Sequence, residues 1–444
     1  MYLRMILISA AGALAAIALW TFLFRRHRAG RLPAGQLLTV ALAVGLSCRV
    51  AYALWTPTFY APDEQSHFQY VRWLAEHRTL PVQNRVLDLA AHDWEYHQPP
   101  LYYVGLTPVY LLADGLFHER AVTVRALRLV SILLWGLTVM FALRFLDQMG
   151  LNDDFLRTSV VAMLCLLPTY TFLSSAINND NPIIALGSAI SWRMAKPPTA
   201  RNSLWLGVLV GLALLTKFTA IAFILLLFLV PSVGLIRRTK GPSMWPHAAL
   251  SISLAALLWA PWALRSLRLY ESITADNVTN SPPREWPSTS GAILSTLGYM
   301  QDSFWAVSGV YNNINFYYPS LGRHLAYVAC LGLLIGMLFK RDRLLRALPA
   351  NRELALALVL AMLMNAGLVF RFGLENGQGQ GRFLFTLLAP TALLIGTGLR
   401  MFTLTEREDA PLHLTGLFLT YATSFTFHSL AVFPRGAVPW GPSG

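Results

Sequence analysis

Two adjacent carboxylates, Asp63 and Glu64, stand between Pro62 and His67 in Tyr60-Ala61-Pro62-Asp63-Glu64-Gln65-Ser66-His67. A carboxylate at such a corner can accept the proton of an attacking hydroxyl, with its neighbours orienting it. The structural alternative is that Pro62 ends one helix, Asp63 caps the next and Glu64 complements its dipole. Three cations have comparable settings. Lys217 sits between two apolar runs in Leu215-Thr216-Lys217-Phe218, Arg265 follows Pro261-Trp262-Ala263-Leu264, and Arg382 follows Gly379-Gln380-Gly381. A guanidinium grips phosphate through two parallel hydrogen bonds, so these residues suit a phosphorylated ligand as well as interfacial anchoring. His97 and Gln98 precede the rigid Pro99-Pro100, and Asn179 and Asp180 lie in the polar patch 178–182, which could bind a polar substrate or cap a helix starting at Pro182. His67 and His97, with Asp63 and Glu64, are the candidates to hold a divalent cation if the chemistry needs one.

The elements that must position these groups are apolar. Hydrophobic residues make up 55% of the chain and charged residues 13%, and many runs reach the roughly 20 residues that span a bilayer. The expected class is an all-α polytopic membrane protein. The net charge of +13 is concentrated between apolar runs, the pattern of topology signals and anionic headgroup contacts and not of nucleic-acid binding. Cys48, Cys165 and Cys330 fall inside apolar runs and show neither metal spacing nor a disulfide framework.

Basic loops set the expected topology. Residues 3–24 read as a retained first span, because Arg25-Arg26-His27-Arg28 follows the apolar run and no small-residue cleavage site appears. Residues 35–56 then deliver Asp63 to the outer side, and 57–124 form a first outer loop. In that loop residues 64–78 predict an amphipathic surface helix, with Phe68, Val71, Leu74 and Ala75 on one face and Gln65, Gln69, Arg72 and Glu76 on the other. Residues 101–117 are short for a span and equally suited to the interface. Further spans are expected at 125–146, 156–176, 182–195, 203–216, 218–236, 245–263, 322–339, 353–370, 383–401 and 411–432, with a second outer loop at 264–320 whose middle, 292–307, reads as another surface helix. The total is about twelve spans in a single transmembrane domain over residues 1–444. On this topology Asp63, Glu64, His67, His97, Asp180, Lys217, Arg265 and Arg382 all reach one side, and ionisable residues at membrane depth are costly and usually functional.

No nucleotide-binding loop or nucleophile elbow is present. An enzyme working outside the cell membrane lacks ATP and nucleotide sugars, so its activated donor would already be in the membrane. A lipid-linked phosphate fits, with the cations stabilising the departing phosphate.

Several motifs resemble the GT-C glycosyltransferases, which use polyprenyl-phosphate sugars and include protein O-mannosyltransferases and lipid A aminoarabinose transferases. They are Pro62-Asp63-Glu64 with His67-Phe68, Tyr96-His97-Gln98-Pro99-Pro100-Leu101-Tyr102-Tyr103, Asn179-Asp180, Leu215-Thr216-Lys217, Trp262 with Arg265, and Gln380-Gly381-Arg382-Phe383-Leu384. They occur in order over residues 35–400 and are most similar to uncharacterised bacterial members. The resemblance implies a GT-C-like bundle with Asp63 as catalytic carboxylate, a lipid-phosphate donor in the bundle and a surface helix after Pro100. Residues 3–24 look like an addition before the usual first helix.

The expected function is an inverting glycosyltransferase of the bacterial inner membrane, facing the periplasm or exterior. Asp63 acts as base with Glu64, and His67, His97, Gln98, Asn179, Asp180, Lys217, Arg265 and Arg382 bind donor or acceptor. The acceptor is a glycan, lipid or protein, and the aromatic second outer loop closes over the sugar. The alternative is a transporter or flippase of a lipid-linked sugar or anion, for which inverted repeats and midplane charges would be expected.

Overall fold

The computed structural model describes residues 14–15, 17–23, 25–26, 34–84, 92–237, 241–275, 285–306, 319–347, 351–402 and 410–432. Among them every regular element is helical. The helices are α1 (Ala34–Trp55), α2 (Glu64–His77), α3 (Leu101–Phe117), α4 (Arg120–Gln148), α5 (Asp154–Leu166), α6 (Pro168–Leu173), α7 (Asp180–Met194), α8 (Ala200–Leu214), α9 (Ile221–Ile236), α10 (Gly241–Tyr270), α11 (Thr289–Trp305), α12 (Pro319–Leu338), α13 (Arg341–Ala347), α14 (Arg352–Asn376), α15 (Leu388–Arg400) and α16 (Ala410–Val432). Short 3-10 turns cover Phe218–Ala220 and Gly381–Leu387.

Six stretches are long and apolar enough to cross a membrane: Gln36–Trp55, Arg120–Gln148, Phe218–Ile236, Met244–Tyr270, Arg352–Asn376 and Gly381–Arg400. Leu101–Phe117, Ala200–Leu214 and Gly322–Leu338 are apolar but shorter. Of the about twelve spans expected, six are of full length and apolarity among the described residues. One reason is Pro168, which breaks the expected span 156–176 into α5 and α6. Another is that α7 and α8 have only 15 residues each. Most of the expected first span and parts of the second outer loop (276–284, 307–318) lie outside the described residues.

The medium is written on α4. Leu129, Leu133 and Leu137, at i, i+4 and i+8, are 47%, 69% and 42% exposed. Trp135, Val139 and Ala142 on the same helix are buried in the main core. An exposed leucine stripe of this kind is stable against lipid tails and not against water.

The break at Pro168 also explains a buried charge. Proline has no N–H, so it leaves the Leu164 carbonyl without its helical donor. Arg49 Nη2 and the Trp135 indole each donate to that carbonyl at 3.0 Å, and Arg49 Nη1 donates to Cys165 O at 2.6 Å. The guanidinium, fully buried in α1, also lies 4.2 Å over the Trp135 ring.

The helix expected at 64–78 is α2, and its predicted apolar face packs as read. Phe68 and Val71 are buried against Tyr103, Leu106 and Tyr110 of α3, with Leu74 and Ala75 beside them. Arg72 pairs with Glu76 on the outer side at 2.6 Å. The expected helix at 292–307 is α11, beginning three residues earlier.

Candidate active site

The turn between α1 and α2 is sharp. Phe59 and Asp63 both adopt left-handed backbone, with φ of 63° and 59°. Non-glycine residues hold that conformation at a cost of about 1–3 kcal/mol and only where their surroundings fix them. Arg128 of α4 does so here. Its guanidinium donates to the Ala53, Thr56 and Pro57 carbonyls at the end of α1. It also pairs bidentately with Glu64, at 2.8 and 2.6 Å. Both side chains are buried, and Glu64 Oε1 further accepts from Ile177 N at 3.2 Å. Asp63 occupies the N-cap position but its side chain makes no capping bond. The capping expected of it is therefore corrected: the left-handed backbone releases its carboxylate elsewhere.

That carboxylate meets Arg382. Arg382 Nη2 lies 2.8 Å from Asp63 Oδ2, and Arg382 Nε is 3.9 Å from Asp180 Oδ2. Asp180 in turn pairs with Lys217, whose ammonium also donates to Asn179 Oδ1 at 3.2 Å. Asn179 Nδ2 reaches the Tyr103 hydroxyl at 3.4 Å, and that hydroxyl lies 3.0 Å from His67 Nδ1. A continuous polar chain thus runs Asp63–Arg382–Asp180–Lys217–Asn179–Tyr103–His67. Beneath both cations lies Phe383, with its ring centroid 5.3 Å from Lys217 Nζ and 5.4 Å from Arg382 Cζ.

Backbone irregularity delivers each member. Asp180 opens α7, two residues before the predicted start, where Asn178 Oδ1 accepts from its N–H at 2.8 Å. Lys217 is extended between α8 and a 3-10 turn. Arg382 rides a 3-10 turn pressed onto α11, where Gly381 N donates to Ser303 Oγ at 2.7 Å. Arg382 is buried, yet its Nε and Nη1 have no hydrogen-bond partner.

Burial pushes the Asp63 carboxyl up, but the Arg382 guanidinium outweighs it and holds Asp63 below the usual carboxylate range. Burial lowers His67 to about 3, so it is neutral near pH 7.

Three solved structures share this architecture. ArnT from Cupriavidus metallidurans bound to undecaprenyl phosphate superposes with a TM-score of 0.54 at 16% identity, covering 89% of this chain and 76% of that one. Archaeoglobus fulgidus AglB, in complex with an inhibitory peptide and a dolichol-phosphate, gives 0.56 at 12% identity over 90% of this chain and 56% of that one. The Archaeoglobus fulgidus oligosaccharyltransferase in complex with Zn and sulfate gives 0.52 at 12% identity, over 90% and 54%. The chain thus spans about half the length of the archaeal enzymes. No protein-family model and no curated protein matches it. ArnT and AglB are both GT-C glycosyltransferases.

The chain has the GT-C fold.

Within this GT-C fold the remaining sequence-predicted residues are placed less centrally. Glu64 is fully engaged by Arg128. His97 Nδ1 lies 2.9 Å from Trp94 O and its Nε2 3.0 Å from the Gln98 amide, while Gln98 O accepts from Tyr70. Burial lowers His97 to about 4. Arg265 donates to Pro81 O at 2.7 Å and lies over Trp262, with no ion pair to the Asp63 group among the described residues. Among the described residues no three His, Cys, Asp or Glu side chains are grouped to hold a metal ion.

Sequence reading missed Glu95. Its Oε2 is buried without a hydrogen-bond partner, 3.9 Å from His67 Nδ1. Burial, then the like charge of Asp63, pushes its carboxyl up to about 8. It lies in an irregular polar loop, where no periodicity marks one acid above another. Arg128 was missed because it sits in a helix whose charges read as topology signals.

Proposed function

We propose that the protein is a glycosyltransferase that moves a sugar from a polyprenyl-phosphate donor to an acceptor hydroxyl, with inversion, on the extracytoplasmic side of the membrane. The observation that carries this is the arrangement of Asp63 against Arg382, with Lys217 alongside and the Arg382 Nε and Nη1 nitrogens without hydrogen bonds. The GT-C fold supports the reaction class. ArnT with undecaprenyl phosphate and AglB with a dolichol-phosphate support the donor class.

In this reading the acceptor oxygen attacks the anomeric carbon while Asp63 takes its proton. The bond from that carbon to the phosphate oxygen breaks with its electron pair, and the polyprenyl phosphate departs. Arg382 and Lys217, both set against the Phe383 ring, stabilise the charge that grows on it. Asp180 and Asn179 hold Lys217 in place, and His67, kept neutral by burial, orients the acceptor with Tyr103. Glu64 anchors the turn that presents Asp63. The Lys and Arg bias of the alternate loops supports the outward orientation.

The test is to incubate purified protein with a panel of polyprenyl-phosphate sugars and follow release of polyprenyl phosphate. Release from at least one donor, lost in Asp63→Asn, is the expected result. A full panel with no release beyond the Asp63→Asn background would remove the proposal.

A further inference from the structure

We propose that the end of the bundle opposite Asp63 binds the hydroxylated phosphodiester headgroup of an anionic lipid, gripped by Arg193, Lys196 and Arg201 beside Trp192 and Trp205. Its distance from the candidate active site follows from α7, which opens at Asp180 and runs 15 residues to Met194. At 1.5 Å per residue that is about 22 Å. The site is independent of the transfer reaction.

Four cations converge there. Arg193, Lys196 and Arg144 lie 4.7, 4.2 and 5.2 Å from the Trp192 ring, and Arg193 also lies 5.5 Å from that of Trp205. Among the described residues none of Arg144, Arg193, Lys196 and Arg201 is paired with a carboxylate. Arg157 and Arg400, part-buried like Arg193, are each paired, with Asp147 and Asp153. Burial and the nearby Arg193, Arg144 and Arg201 pull the Lys196 ammonium below its ordinary range, and a bound anion relieves that repulsion.

A cavity of about 380 Å³ opens here, lined by Arg193, Lys196, Arg201, Asn202 and Trp205. It also meets the start of α8, whose orphan amides and dipole favour a negative charge. Asn202 supplies the second recognition element. It is 7% exposed, its Nδ2 donates to Arg193 O at 3.0 Å, and its Oδ1 is buried with no partner. A buried acceptor in a cationic cavity has no use for a bare anion. It accepts from a headgroup hydroxyl, as a glycerol carries.

The flanks favour a lipid over a free phosphate. Leu204 and Trp205 on α8 are 47% and 46% exposed, so apolar surface for acyl chains adjoins the cations. A topology signal alone needs positive charge on one side of the membrane. It does not need Arg144, Arg193 and Lys196 gathered on indoles beside a cavity that Arg193, Lys196 and Arg201 line.

The test uses the full chain in detergent, with lipid retention read by native mass spectrometry during titration with phosphatidylglycerol or phosphatidylcholine. Phosphatidylglycerol is retained selectively by the unaltered protein. Lys196→Gln/Arg201→Gln, which alters only side chains outside the core, weakens that retention about thirtyfold. Arg341→Gln/Arg352→Gln removes equal charge from another basic segment and leaves retention unchanged. Equal loss in both variants, or none in the first, overturns the site. If millimolar inorganic phosphate displaces nothing, the lipid assignment stands; if it competes as well as phosphatidylglycerol does, the site belongs to a soluble phosphate instead.

Discussion

Arg382 Nη2 donates to Asp63 Oδ2 at 2.8 Å, joining positions 319 residues apart in the chain. In the proposed reaction this single guanidinium partners both the base and the leaving group. Its Nε and Nη1 are unused, so an arriving phosphate competes with Asp63 for the cation. Donor binding then loosens the pair and frees the carboxylate for the acceptor's proton.

Replacing Asp63 by Asn keeps a hydrogen-bond acceptor for Arg382 but removes the base. Turnover falls by about 10²–10⁴, while the thermal unfolding midpoint in detergent drops only by what the lost Asp63–Arg382 ion pair contributes and the chain still folds. Single-turnover assays with the best donor check this, and retained turnover would exclude Asp63 as the base.

Arg382→Lys retains the charge and loses the fork. Because a point charge does not reproduce bidentate phosphate binding, KM for the donor rises by roughly tenfold to a hundredfold. Lys217→Ala acts in the same direction and leaves Asp180 only the longer pair with Arg382, so it lowers stability as well. Steady-state kinetics with a short-chain donor separate the two.

Glu64→Ala behaves quite differently from Asp63→Asn. It strands Arg128, buried on α4, and breaking such a pair costs about 3–5 kcal/mol. Chemical unfolding should show that loss, and Glu64→Leu with Arg128→Met should recover part of it. A Glu64→Ala protein of full stability would refute the anchoring role.

Glu95 gives the stability a pH signature. Its folded carboxyl titrates near 8, above the ordinary range, so the folded state holds a proton that the unfolded chain has already lost. Its contribution is present at low pH and is lost as pH rises toward about 8. His67 and His97 act oppositely, since burial lowers both; their contributions are complete above the ordinary histidine range of about 6.5. Between about pH 6.5 and 8 the decline therefore belongs to Glu95 among these three. Glu95→Gln should flatten it in thermal unfolding across that interval.

Gly381 has no room for a side chain. A Cβ there would sit 2.1 Å from Met300 O and 2.5 Å from Phe304 N. Gly381→Ala must lift the turn from α11 and carry Arg382 with it. Donor binding and stability fall together, and a binding assay alongside thermal unfolding tests the linkage.

How much of this was legible in the chain depended on whether a residue left a periodic or punctuating signal. The face of α2 was plain because Phe68, Val71, Leu74 and Ala75 repeat at helical spacing. Asp63, Lys217 and Arg382 stood out as charges beside proline, glycine or abrupt apolar edges. The break inside 156–176 was not seen, because Leu166-Leu167-Pro168 was read through as one apolar run. Hydropathy sums residues and is blind to a missing N–H. Glu95 and Arg128 gave no local cue, because their meaning comes from partners far away in sequence, His67 for one and Glu64 for the other.

Arg49 and Pro168 are bound by the same logic. The proline releases a carbonyl, and the buried arginine from another helix donates to it. Neither changes freely alone: an alanine at 168 would return the Leu164 carbonyl to its helix and take one acceptor from the buried guanidinium, and an apolar residue at 49 would leave that carbonyl to the Trp135 indole alone. Descendants of this chain are thus expected to keep both or to exchange both together, and sequencing close homologues would reveal that shared inheritance.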